Sequence, residues 1–368
     1  MIAWYLRRVG RMLTSHIDGP LLAAVLLLMA TGLTALYSAS NAAWPRVSGQ
    51  MMNMLVALAV MWLFANIPPH FLMRLAPSVF VLGIVLLVGV ALFGDVVNGA
   101  RRWLHIGVTR IQPSELMKIA VPLMLAWYFH RYEGTLQLRH YVLAAILLII
   151  PVGLIARQPD LGTAVLILAG GGYVLFLAGL SWKVIAGLGV TGLASAPIAW
   201  SIMHDYQRRR ILTFLNPMED PLGAGYHTIQ STIAVGSGGL IGKGWMSGTQ
   251  THLDFIPERT TDFIFAVYSE EFGLVGNIVL LILFLLLISR GFVIAAQAPT
   301  LFTRLLAGAI TLTFFTYAFV NMGMVSGILP VVGVPLPMIS YGGTSLVSLC
   351  LGFGILMSIH THRNLVRT

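Results

Sequence analysis

The chain has 368 residues, 57% of them apolar and only 10% charged, with a mean hydropathy of +0.86. A soluble globular chain carries about 25% charged residues, so this composition excludes a soluble enzyme, a disordered chain and a collagen-like fibre. The 22 Lys and Arg against 13 Asp and Glu leave a net charge of +9, an excess that suits the cytoplasmic loops of a membrane protein and is not read as a nucleic-acid footprint.

Apolar blocks of membrane-crossing length recur along the whole chain. They predict about ten spans, near 21–38, 51–67, 75–94, 114–130, 141–157, 162–180, 184–202, 263–289, 304–325 and 341–360. In lipid every backbone amide must be satisfied internally, so each span is a helix. The fold class expected is an all-α polytopic membrane protein, one membrane domain over 1–368. With the N-terminus inside, eleven Lys and Arg of the short loops fall on the inner side and four on the outer. Both termini are therefore expected in the cytoplasm. Arg7, Arg8 and Arg11 precede the first block, which reads as an uncleaved helix behind a basic amphipathic segment. The single Cys350 lies in an apolar run and suggests neither an intrachain disulfide nor a metal site.

The outer loop before the fourth span holds Arg101, Arg102, Trp103 and Arg110, then Gln112-Pro113-Ser114-Glu115. Arginine suits phosphate because its planar fork donates two hydrogen bonds at once; interfacial anchoring explains the same residues equally well. Ser114 is a candidate N-cap. Glu115 and Lys118 stand i, i+3 on one helix face, as a structural ion pair or as the wall of a polar cavity. Asp160, two residues after Gln158, is placed to cap the sixth span and to pair with Arg157.

Residues 203–261, between spans seven and eight, form one large extracytoplasmic loop with ionic residues of both signs and a glycine-rich stretch from Gly236 to Gly248. The segment from Tyr226 suits a short amphipathic helix at the interface. Asp262 opens the eighth span, where a helix dipole stabilises a carboxylate and where it also meets the outer surface beneath the loop. Glu270 and Glu271 follow inside the span and receive no assignment. No nucleotide-binding loop and no HExxH zinc motif is present.

Taken together, several motifs resemble the SEDS family (shape, elongation, division, sporulation). They are Ala100-Arg101-Arg102-Trp103, Gln112-Pro113-Ser114-Glu115 with Lys118, Gln158-Pro159-Asp160, Asp220-Pro221 through Tyr226, Gly242-Lys243-Gly244-Trp245, Pro257-Glu258-Arg259-Thr260-Thr261-Asp262 and Leu336-Pro337 through Gly343. The spacing after Asp220 and the tail from Met357 to Arg363 look more like the elongation member than the division member. The resemblance implies a peptidoglycan glycosyltransferase of the inner membrane that polymerises lipid II. It also implies a class B penicillin-binding protein and other elongation-complex membrane proteins as partners, and it matches the family's essential loop aspartate to Asp262.

On that footing Asp262 is the expected general base. Arg101, Arg102 and Lys118 are the expected diphosphate contacts, with Lys243 from the loop. Glu115 and Asp160 support the cavity. Diphosphate is a good leaving group, so the paired carboxylates of a glycosidase are not needed. A divalent cation could assist it, although no dedicated ligand cluster is visible. Two other classes stay open on the residues alone: a flippase for the lipid-linked precursor, and a non-catalytic activator of a penicillin-binding protein.

Overall fold

The computed structural model describes residues 15–363, apart from 98–99, 107–108, 159, 204, 220–224, 254 and 257. Arg7, Arg8 and Arg11 lie outside the described residues. In chain order the helices are α1 (Gly19–Ala39), α2 (Trp44–Ala65), α3 (Pro69–Phe93), α4 (Pro113–Arg131), α5 (Leu138–Ala156), α6 (Leu161–Leu177) and α7 (Trp182–Ala194). There follow α8 (Ala196–Ile202), α9 (Asp205–Leu215), α10 (Tyr226–Ser237), α11 (Thr249–His252), α12 (Ile264–Ala296), α13 (Leu301–Val325) and α14 (Thr344–Thr361).

Seven described helices, α1, α2, α3, α5, α12, α13 and α14, are long and apolar enough to cross a membrane. The α6 and α7 helices are apolar but shorter. Helix starts follow local chemistry. Asp18 caps α1 by accepting from the Leu21 amide at 2.9 Å, and Thr300 caps α13. In the bundle α14 lies along α2, and α13 packs on α12, α6 and α4. Leu28, Met117, Phe314 and Phe353 are fully buried between them.

Two expectations change. The span expected over 184–202 breaks between α7 and α8 at Ser195. Pro197 has no amide proton and its ring crowds the carbonyl four residues back, so a continuous helix is disfavoured. Within 203–261, expected as a large loop with a short helix, lie α9, a turn of 3-10 helix at Pro217–Glu219, α10 and α11. The expected helix at Tyr226 is α10, and it turns the small side chains Thr228, Ser231 and Ala234 inward, against α12.

The fold is also not purely helical. Residues between α3 and α4 form a small antiparallel sheet, β1 (Asp95–Val97), β2 (Ala100–Ile106) and β3 (Thr109–Ile111), in the order β1-β2-β3. Its strands are rich in β-branched and aromatic residues. The sequence Asn98-Gly99 between β1 and β2 is a strong hairpin signal that the sequence reading missed.

The α12 helix is interrupted at Gly273, which has φ 62° and ψ −160°. A break inside lipid leaves carbonyls and amides without partners, and the glycine-rich segment supplies them. The Lys243 and Gly244 amides donate to the Glu270 and Glu271 carbonyls at 3.0 Å, and the Leu274 and Val275 amides donate to the Gly239 and Leu240 carbonyls at 3.0 Å. Gly242 is at the centre of this splice. Its φ is +81°, and a Cβ there would lie 2.1 Å from the Glu271 carbonyl oxygen. A Gly242→Ala variant should therefore lose about 2 kcal/mol or more of stability, measured as a lowered thermal unfolding midpoint in detergent. An unchanged midpoint would show that the splice is not rigid.

Candidate active site

One polar cavity of about 220 Å³ gathers residues from five elements. Arg102 comes from β2, Glu115 and Lys118 from α4, Asp160 from the start of α6, Tyr317 from α13, and Thr344 and Ser345 from the start of α14. The i, i+3 spacing brings Lys118 Nζ to 2.6 Å from Glu115 Oε1, and Ser348 Oγ donates to the other carboxylate oxygen at 2.8 Å. Lys118 also sits over the Tyr317 ring, 5.0 Å from its centroid. An ammonium has three N–H donors, so this pairing leaves Lys118 able to donate to a further anion.

Asp160 caps α6 through the Thr163 amide at 3.3 Å, and Gln112 Nε2 donates to its Oδ2 at 3.3 Å. Its ionic neighbour is Arg102, with Nε 4.0 Å from Oδ2, in place of the expected Arg157. Arg157 instead ends α5 at the surface. Ser114 does not cap α4. The helix starts one residue earlier at Pro113, whose missing amide proton suits the first position. Arg101 belongs to β2, but its side chain lies outside what is described.

Asp262 lies in the turn that leads into α12. Two clamps fix this turn to the segment before α14. Asn321 Nδ2 donates to the Asp262 carbonyl at 2.8 Å and to the Val334 carbonyl at 2.7 Å. Ser340 Oγ donates to the Thr261 carbonyl at 2.6 Å, and the Tyr341 amide donates to the Thr260 carbonyl at 2.9 Å. The carboxylate faces Gly333, where a Cβ would stand 3.4 Å from Oδ2, and Gly333 is itself part of the polar cavity's wall. Asp262 thus adjoins the cavity across Gly333 without lining it. Burial, and then the nearby Glu258 carboxylate, push its pKa up to about 6.

Lys243 is elsewhere. Its Nζ lies 2.8 Å from Glu270 Oε1 and 2.8 Å from Thr249 Oγ1. The buried Glu270 also accepts from the Gln250 and Thr251 amides at 3.0 and 3.3 Å, so it anchors the segment around α11. Glu271 accepts from Ser38 of α1. Removing one partner of such a pair leaves a buried charge uncompensated. Lys243→Met should therefore cost about 3 kcal/mol of stability, and Lys243→Met with Glu270→Gln should recover part of it in thermal unfolding.

A larger apolar groove of about 580 Å³ runs between α2, α3, α4 and α14, with Phe64, Leu72, Leu116 and Val347 among its walls. It meets the polar cavity at Gln112, Glu115 and Thr344, which line both. Among the described residues no group of three or more His, Cys, Asp or Glu is arranged to hold a metal ion. The sequence reading missed Asn321, Tyr317 and Ser348. Asn321, a buried amide in an apolar helix, carried a usable signal, because polar groups at membrane depth are costly unless they have work to do.

The family model for cell cycle proteins of the FtsW, RodA and SpoVE group matches residues 19–365. The chain is 51% identical over 352 residues to the peptidoglycan glycosyltransferase MrdB of Escherichia coli (strain K12), covering 95% of each. It is 35% identical to a probable peptidoglycan glycosyltransferase FtsW of Coxiella burnetii, over 93% of this chain and 95% of that one. Among solved structures, a chain of a peptidoglycan synthase complex that coordinates polymerization and crosslinking superposes with a TM-score of 0.82 at 34% identity, covering 95% of this chain and 99% of that one. The rod shape determining protein RodA of Thermus thermophilus gives a TM-score of 0.72 at 30% identity, covering 94% and 97%. With the motifs, the fold and these similarities in agreement, the chain belongs to the FtsW/RodA/SpoVE family, the SEDS proteins.

Proposed function

We propose that this chain is a peptidoglycan glycosyltransferase that polymerises lipid II into glycan strands at the outer face of the cytoplasmic membrane during cell elongation. The reading counts ten crossings, the seven long apolar helices with α4, α6 and the α7–α8 pair, and both termini inside. On that topology the polar cavity and Asp262 open outward, where no nucleotide sugar is available and the donor must come with the membrane.

The observation that carries the reading is the junction of two spaces. The polar cavity with Arg102 and Lys118 continues into the apolar groove, and the Asp262 carboxylate abuts the cavity wall at Gly333. A lipid-linked disaccharide diphosphate has the same two halves. Its prenyl chain fits the groove and its diphosphate fits Arg102 and Lys118, with Arg101 beside them on β2. Asp262 removes the proton of the acceptor GlcNAc 4-hydroxyl as that oxygen attacks the donor's anomeric carbon. The carbon–oxygen bond to the diphosphate breaks with its electron pair, and the cations take up that charge. One displacement inverts the anomeric configuration. Glu115 and Asp160 orient Lys118 and Arg102. Lys243 acts through Glu270 in holding the loop, and direct contact with the diphosphate is not assigned to it. A divalent cation could neutralise part of the diphosphate charge; no step depends on it.

A class B penicillin-binding protein is the partner this reading requires, since glycan strands need crosslinking. The similarity to a chain of a complex that couples polymerization to crosslinking supports it. Other elongation-complex membrane proteins would complete the assembly. The test is reconstitution of the chain with its transpeptidase in liposomes containing labelled lipid II. Polymer is expected in the wild-type sample. Headgroup translocation without polymer would point to a flippase, and polymer only on addition of another polymerase would point to an activator.

A further inference from the structure

At the end of the bundle opposite Asp262 lies a second cavity of about 480 Å³, unrelated to the polymerase site. Four histidines, His16, His70, His130 and His362, line it together with Arg363. Among the described residues no carboxylate lines it. Two carboxylates close to it are already engaged. Asp18 takes both Arg290 contacts, at 3.0 and 2.5 Å, and lies 3.3 Å from His360. His130 Nδ1 is 3.1 Å from Glu133 Oε2, a largely exposed glutamate.

The other wall is apolar, formed by Met73, Phe302 and Ile359 with Pro68, Pro69 and Pro299. The cavity therefore carries a guanidinium and imidazole rings on one side and apolar side chains on the other, at the helix ends opposite Asp262. The first turn of α13, with Thr300 and Thr303, also faces it and adds the positive end of a helix dipole. Residues 1–14 and 364–368 flank this end in sequence and contain Arg7, Arg8, Arg11 and Arg367 but no acid.

We propose that this cavity binds a phosphate group at the inner membrane surface, carried by an anionic phospholipid or by a small soluble anion. Arg363, whose Nη1 also donates to Gln297 Oε1, provides a guanidinium and His70 an imidazole N–H as donors to the phosphate oxygens. The apolar wall accommodates a glycerol backbone and the first methylenes of an acyl chain. Such a site would tie the inner end of α13, whose outer half bears the Asn321 clamp on the Asp262 turn, to the anionic lipid content of the membrane.

The test uses the purified full-length chain in a neutral detergent and three probes by calorimetry: dihexanoyl phosphatidylglycerol, dihexanoyl phosphatidylcholine and inorganic phosphate. Phosphatidylglycerol should bind more tightly than phosphatidylcholine. Arg363→Gln with His70→Gln should weaken it by about tenfold or more, the loss of one charge-assisted hydrogen bond. Arg304→Gln, an exposed charge at the same end and outside the cavity, should leave it unchanged. Inorganic phosphate binding as tightly as the lipid, with the same loss in the double variant, supports the site and assigns it to a soluble anion. The proposal is overturned if no phosphate probe binds, if the double variant, verified as folded by its unfolding midpoint, binds as wild type does, or if Arg304→Gln weakens binding equally.

Discussion

Replacing Asp262 by Asn is expected to lower the rate of lipid II polymerisation by about 10²–10⁴-fold, the range supplied by one general base, with little change in folding. The side chain keeps its size, and the clamps on its turn are made to backbone carbonyls that the substitution leaves in place. The pH dependence gives a second readout. The Asp262 carboxyl is raised to about 6 by burial and by Glu258, and only its ionised form accepts a proton. Activity should therefore be half-maximal near pH 6, fall by about tenfold per pH unit below that, and level off above it. Glu258→Gln removes the repelling charge and should move this limb to lower pH. In Asp262→Asn the limb should vanish from the residual activity. A full rate in the Asn variant, or an unaltered acid limb, would remove Asp262 from the proton transfer.

The second large effect is expected at Lys118. Lys118→Met should abolish polymerisation, but part of that loss would come from folding. Lys118 and Glu115 are largely buried, with side-chain exposures of 8% and 14%, and breaking such a pair costs about 3–5 kcal/mol. The informative variant is Lys118→Met combined with Glu115→Gln, which removes both charges. Its thermal unfolding should return toward wild type while polymerisation stays about 10²–10³-fold down, the scale of losing one group that stabilises developing negative charge. If activity returned with stability, the pair would be structural and the diphosphate contact would have to lie with Arg102.

The outlines of both predictions were visible along the chain. Glu115 and Lys118 stood out because ionic groups within an apolar span are costly, and their spacing alone put them on one helix face. Asp160 announced itself as a cap. The splice in α12 was not legible. Gly236 to Gly248 read as a glycine-rich part of the outer loop, and nothing local indicated that its backbone would bridge a helix broken at Gly273. The partner of Lys243 was invisible for the same reason, since Glu270 is 27 residues away in the chain.

What the sequence determined by itself is the membrane class, the main apolar helices and the short list of charged residues in them. These follow from composition and periodicity, which are local properties. The tertiary structure decided which charges meet beyond the Glu115–Lys118 turn. It paired Arg102 with Asp160 rather than giving Arg157 that place, withdrew Lys243 into the loop anchor, and set Asp262 against Gly333 beside the polar cavity. The physical reason is that an ion pair depends on distance in space. A strand folded against the start of a helix brings together residues 58 positions apart, such as Arg102 and Asp160, as readily as neighbours on one turn.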